Sequence, residues 1–132
     1  MAERFSNFVY FSQLAPNASL TCIADIIKVA RRFNKEHHIT GLLIFDGQRF
    51  CQYIEGPDEA LQGLIQSIKK DPRHINFKPK LAFYDQQQRM FSNWSMAYVI
   101  VDDAEPLDEI IEDDGSAVLH KLQQLLPVLD IG

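Results

Sequence analysis

"TGLLIFDGQRFCQYIEG", residues 40 to 56, holds two apolar runs separated by Asp46-Gly47. Asp-Gly between two strand-forming runs is a strong hairpin signal, because a type I′ turn needs positive φ at both central residues. The stretch therefore predicts two antiparallel neighbouring strands. Leu42 and Ile44 alternate with Leu43 and Phe45, so both faces of the resulting sheet are apolar and both need a cover. In the second run, Phe50, Gln52 and Ile54 share one face while Cys51, Tyr53 and Glu55 share the other. An amide between two core residues is costly unless it is bonded, by about 1–3 kcal/mol. Gln52 must have partners on its face.

Outward from the hairpin the pattern alternates between strand and helix. "FVYFS" (8–12) reads as a first strand, closed by Pro16 and Asn17. From about 19 to 37, Leu20, Ile23, Ile26, Ile27, Ala30 and Phe33 recur at helical spacing opposite Asp25, Lys28, Arg32 and Lys35. Pro57 suits a first helical position, Asp58 and Glu59 a helix start, and Lys69 and Lys70 a helix end. Residues 57–70 are thus a second helix that buries Ala60, Leu61, Leu64, Ile65 and Ile68. After "DPRH" (71–74) a fourth strand is expected over about 77–85, and "WSMAYVIV" (94–101) supplies a fifth. The order β-α-β-β-α-β-β is that of an α+β, ferredoxin-like sandwich with both helices on one face of a mixed sheet.

Past an acidic stretch, 102–114, Leu119, Leu122, Leu126 and Leu129 form a helical stripe on about 116–129. It is expected to lie on the open sheet face, the other option being a second subunit. The division that follows is a folded unit over 5–101 and a C-terminal acidic linker and amphipathic helix over 102–132.

At 132 residues and 15.2 kDa the chain is long enough for one two-layer domain. A net charge of −5 opposes binding to nucleic acid or to an anionic membrane. Cys22 and Cys51 sit in apolar surroundings without CxxC spacing and read as free buried thiols. With neither a basic, apolar leader at the start nor an apolar run of membrane-spanning length, a cytoplasmic protein is expected.

Four polar groups point to one cleft. If Phe8 faces the helices, so do Tyr10 and Ser12, while Gln52 lies between Phe50 and Ile54. Asn34 follows Ile26 by a little over two helical turns and shares its side. Each has an ordinary structural explanation taken singly. Together, two amides, a phenol and a hydroxyl against aliphatic walls suit a flat polar heterocycle.

The chain resembles the BLUF domains, blue-light sensors that use flavin. The resemblance runs over roughly 5–101 and is carried by "YFS" (10–12), "ARRFNKEHHITGLLIFDG" (30–47), "RFCQYIEGP" (49–57), "DPRH" (71–74) and "RMFSNWSM" (89–96). It implies FAD as cofactor, with FMN or riboflavin as alternatives, bound without a covalent link and outside any enzymatic turnover. It implies that Tyr10 is the redox-active tyrosine and that Gln52 stands between it and the flavin. Asn34 then holds the isoalloxazine carbonyl region, Ser12 lies close to Tyr10 and Gln52, and Ile26 is the aliphatic wall. Arg73 and His74 fall near the ribityl chain and ring edge, and Trp94 and Met96 match the strand-five pair whose in or out placement varies in the family; strand five, through either of them, is the candidate signal relay. His38 stands where the family usually has glycine at a helix end, and Cys51 where a larger apolar residue is common. The resemblance further implies an output through a homo-oligomer, dimer or larger, or through a separate downstream protein.

Two other readings compete. An acylphosphatase-type hydrolase would use Arg73 or Arg89 with Asn34 to hold an oxyanion, but "SQLAPNAS" (12–19) is no phosphate loop and no nucleophile is paired with a base. A flavin-free adaptor would dimerise through the open sheet face. His37 and His38 are adjacent on a helix, point about 100° apart and lack a third partner, so no metal site is expected. Arg31, Arg32 and Lys35 complement a helix C-terminus, with one of them a candidate for a flavin phosphate.

Overall fold

The computed structural model describes residues 5–19, 21–85, 97–100, 107, 108, 110 and 116–125. Its elements are β1 (Phe5–Leu14), α1 (Cys22–Glu36), β2 (Thr40–Phe45), β3 (Arg49–Pro57), α2 (Asp58–Lys70), β4 (His74–Asp85), β5 (Ala97–Ile100) and α3 (Ser116–Leu125). The strands lie in the order β4-β1-β3-β2-β5. β1 is antiparallel to β3 and β4, β2 is antiparallel to β3, and β5 joins β2 in parallel. This is the expected α+β, ferredoxin-like sheet with a fifth strand on one edge. β3, which carries Gln52, is interior to the sheet.

Several boundaries differ from the sequence pattern. β1 extends beyond 8–12 at both ends, and β4 begins at His74 instead of near 77. Pro57 ends β3 and caps α2 in an extended conformation (φ −57°, ψ 132°) instead of opening the helix. Its fixed φ suits either place, so the pattern could not distinguish them. The hairpin turn is not of type I′. Only Gly47 has positive φ (97°), and Asp46 Oδ1 accepts the backbone N–H groups of Gln48 and Arg49 at 3.0 and 2.7 Å. The aspartate side chain builds the turn in place of a second left-handed residue.

The sheet separates two cores. Against α1 and α2 lie Phe8, Tyr10, Leu43, Phe45, Phe50 and Ile54 with Ile23, Ile27, Leu61 and Ile65. On the other face Val9, Phe11, Leu42, Ile44, Cys51, Tyr53 and Val99 pack with Leu107, Ile110, Val118 and Leu122. The C-terminal segment therefore covers the open face. Within the expected stripe Leu122 is buried in this core, the side chain of Leu119 is not described, and Leu126 and Leu129 lie outside the described residues. An ion pair of 2.8 Å between Arg49 and Asp108, with Arg49 also 2.9 Å from Asp46, ties the segment to the hairpin.

α1 ends in a Schellman-type closure, in which Ile39 N–H reaches back to the carbonyl of Asn34 at 2.8 Å. The residue that permits it, His38, has φ 60°. Histidine is tolerated there but carries the Cβ penalty that glycine lacks. His38→Gly should raise stability by about 0.5–1 kcal/mol, the left-handed penalty less glycine's extra chain entropy, read as a higher Tm. Burial pushes the Cys51 thiol up to about 12, leaving about one thiolate in ten thousand at pH 8. Ellman titration of the native protein should modify the half-buried Cys22 alone, Cys51 reacting only after denaturation.

Candidate functional site

The inner faces of α1 and α2 do not close on each other. Ile26 and Ala30 from α1 and Leu64 and Ile68 from α2 are only half-buried although they belong to the apolar stripes. Between them and the sheet lies a cleft that is partly open to solvent, with about 530 Å³ of empty space when the solvent at its mouth is counted. Its floor is made by Tyr10 of β1, Leu43 of β2, and Phe50 and Gln52 of β3. Asn34 of α1 lines it from one helix, and Asp71, Arg73 and His74 come from the end of α2 and the start of β4.

Tyr10 and Gln52 are directly opposed across the β1–β3 ladder. The Tyr10 hydroxyl donates to Gln52 Oε1, both groups being buried. With its oxygen occupied by tyrosine, the amide nitrogen is the donor end of Gln52. Burial raises the Tyr10 phenol well above its ordinary value, and Cys51 and the Asp71 carboxylate push in the same direction. Tyr10 is therefore a neutral phenol at any physiological pH.

Asn34 is completely buried on the last turn of α1, where the closure at Ile39 fixes its backbone. Ser12 is buried but does not line the cleft; its Oγ lies 2.8 Å from His74 Nδ1. The other ring nitrogen of His74 lies 2.6 Å from the Ile68 carbonyl at the end of α2. A carbonyl only accepts, so Nε2 carries the hydrogen of that bond. Arg73 is held by Asp71, with contacts of 2.9 and 3.1 Å from Nε and 2.6 Å from a terminal nitrogen. That hydrogen bonding holds the Asp71 carboxyl below the usual carboxylate range. The two charges described in the cleft thus neutralise each other at its rim, and the walls are aliphatic.

Tyr10, Ile26, Asn34, Gln52, Arg73 and His74 meet in this one cleft, and Ser12 is one hydrogen bond behind it. Trp94 and Met96 lie outside the described residues. His37 and His38 are exposed, and among the described residues no cluster of three His, Cys, Asp or Glu side chains is placed to hold a metal. Sequence reasoning missed Asp71, hidden inside "DPRH" as the partner of Arg73, and Phe77, which packs on Tyr10. The carboxylate two residues before an arginine was an available signal for the first.

The matching donor and acceptor set, a phenol with two amides against aliphatic walls, fits the edge of a planar heterocycle bearing both N–H and carbonyl groups. The sequence profile described as BLUF, sensors of blue-light using FAD, matches residues 5–97. The blue light- and temperature-regulated antirepressor BluF of Escherichia coli K12 is 31% identical over 84 residues, 64% of this chain and 21% of that protein. A photoactivated adenylate cyclase subunit alpha of Euglena gracilis is 38% identical over 74 residues, 56% of this chain and 7% of the subunit. The chain thus spans about a fifth or less of the length of these relatives. Among solved structures, the dark state of BlrB, a BLUF protein, superposes with a TM-score of 0.82 at 26% identity, covering 96% of this chain and 97% of that one. The ground state of BlsA gives a TM-score of 0.71 at 31% identity, covering 82% and 72%.

The pair at the rim makes a pH-dependent contribution. Because the folded Asp71 pKa lies below its unfolded value, its stabilisation is complete above the ordinary carboxylate range, about pH 4, and is lost as pH falls through the depressed folded value. Thermal unfolding of the parent and of Asp71→Asn should accordingly show a Tm gap at neutral pH that closes under acid.

Proposed function

The chain belongs to the BLUF family of blue-light sensors that use FAD, and on that premise we propose that it is a photoreceptor whose light-driven step is performed by Tyr10 and Gln52. The observation that carries this reading is the Tyr10–Gln52 hydrogen bond on the floor of a neutral, aliphatic cleft. A flavin in the cleft supplies blue absorption and an electron acceptor. The residues suited to hold it are Asn34 and Gln52 through their amides, Ile26 as a wall, and Arg73 and His74 at the rim, with Ser12 fixing His74. FAD is the proposed cofactor in the cell, and the ring site alone would accept FMN or riboflavin.

Tyr10 keeps its proton in the dark because burial disfavours tyrosinate. Loss of an electron reverses that preference, since an oxidised phenol is a far stronger acid than the neutral one. The proton then leaves along the bond already made, to Gln52 Oε1, and the amide stays neutral because Nε2 would release a proton toward the bound ring that took the electron. Gln52 exchanges its acceptor and donor ends, by rotation or by tautomerisation, and return of electron and proton to Tyr10 leaves the amide reset. A leucine at 52 has neither end to exchange.

The net change is about one hydrogen bond, worth roughly 0.5–1.5 kcal/mol, so it biases a structure and does not force one. We assign the sensing unit to 5–101 and the output to 102–132, with Trp94 or Met96 passing the change along strand five. Cys51 and Tyr53, which flank Gln52, face the core containing Val118 and Leu122 and offer a second path. The output is proposed to be a rearranged oligomer or a separate protein partner in the cytoplasm. A hydrolase is less well supported, because Arg73 is already engaged by Asp71.

Visible spectra of purified protein before and after blue light test the proposal. The parent should be yellow, with bands that move red in light and return in darkness, while Tyr10→Phe and Gln52→Leu bind flavin without the shift. A parent that takes up no flavin overturns the reading.

A further inference from the structure

We propose that Phe77, which does not line the cleft, is the residue that positions Tyr10 on Gln52 and thereby sets the lifetime of the light-adapted state. The proposal rests on the Tyr10–Gln52 reading above. The Phe77 ring stacks on Tyr10 with centroids 4.8 Å apart and planes at 29°. His74 meets the same tyrosine edge-on at 6.1 Å and Phe77 at 6.0 Å. His74 is itself pinned at both nitrogens, by Ser12 and by the Ile68 carbonyl. Tyr10 is thus contacted by two rings from one strand, one of them hydrogen-bonded at both ring nitrogens.

The backbone of β4 is bent to achieve this. Residues three apart in a regular strand point to opposite faces, so Phe77 and His74 would not ordinarily share one. Phe11 pairs with Lys78 and Gln13 with Ile75, so Ser12 alone on β1 is matched by both Asn76 and Phe77 on β4. Asn76 has φ 56°, and its Nδ2 donates to Gln13 Oε1 at 2.6 Å. The bulge turns both rings toward Tyr10 and leaves Ile75 40% exposed. A left-handed asparagine and an exposed isoleucine are each unfavourable, and bulges beside functional sites serve to re-aim side chains.

For Gln52 to turn back, its bond to Tyr10 must break while the phenol stays fixed. A tyrosine free to swing aside lowers that barrier, and a less fixed donor reacts less often. Dark recovery and the yield of the red-shifted form per blue pulse should be compared in the full chain for Phe77→Leu, Phe77→Tyr, Asn76→Gly and Asn76→Val. Phe77→Leu should bind flavin with the parental dark spectrum, give a lower yield and recover about tenfold faster, since about 1.4 kcal/mol, within the worth of an aromatic pair, is a factor of ten in rate. Phe77→Tyr should restore parental kinetics. Asn76→Gly, which accepts the left-handed backbone, should also match the parent, whereas Asn76→Val, which does not, should follow Phe77→Leu. If Phe77→Leu loses flavin, the two Asn76 variants decide: equal, parental kinetics in both overturn the proposal. Parental yield and recovery in Phe77→Leu overturn it directly. A parent that binds flavin but shows no light-induced shift overturns instead the photochemical reading on which the proposal stands.

Discussion

The hydrogen bond from Tyr10 to Gln52 depends on the register of two interior strands. β1 and β3 pair without interruption from Phe5 opposite Pro57 to Gln13 opposite Arg49. A slip of one residue would turn Gln52 to the other face and bring Cys51 or Tyr53 to the cleft. The irregularity that the sheet needs is carried on the outer side of β1, where the pairing with β4 shifts three times. β4 is an edge strand carrying Pro79. It tolerates bulges, and the proline discourages pairing with another chain. The fold keeps its exact alignment where the amide and the phenol meet and places its distortions on the neighbouring strand.

The same register makes the sheet a thin partition between the cleft and the C-terminal segment. Cys51 and Tyr53 precede and follow Gln52 and project into the opposite core beside Val118 and Leu122. The hydroxyl of Tyr53 accepts from Asn7 Nδ2 and donates to Glu55 Oε2, both at 3.4 Å, all within buried surroundings. A small adjustment of β3 is therefore felt on both faces at once. Arg49, three residues before Gln52, also holds Asp108, so the strand is coupled to the C-terminal segment by charge as well as by packing. The described residues of the segment are thus packed against the strand that carries Gln52, even though no side chain described in the cleft reaches them.

The elements with strong periodicity were legible in the sequence. Leu122 of the C-terminal stripe lies on the sheet face that the stripe was expected to cover, and α1, α2 and the β2–β3 hairpin follow from spacing alone. So does the convergence of Tyr10, Asn34 and Gln52, because alternation in a strand and the pitch of a helix fix which side chains share a face. What escaped were features decided by single dihedrals or by tertiary contact. The Asp46 turn had the right residues for type I′, but its side-chain oxygen offered the two N–H groups a different solution. The bulge at Asn76 broke the period of two and concealed Phe77. Ser12 was expected beside Tyr10 and Gln52, and its partner proved to be His74, contributed by an element whose start the pattern had placed too late.

The half-buried stripes of the two helices carry the remaining argument. Ile26, Ala30, Leu64 and Ile68 have the spacing of core residues, and a helix that packed fully on the sheet would bury them. Here they stay half-buried, on the same cleft as the buried amides of Asn34 and Gln52. Asn34 and Gln52 line the gap between the helices and the sheet, and the apolar rows form its walls. A planar molecule with an aliphatic-tolerant face and a hydrogen-bonding edge would suit such a cleft, removing the apolar rows from water while meeting its polar lining. The cleft is consequently part of the folding problem: rows spaced as core residues border it, and a ring bound between them would complete the core that the two helices leave open.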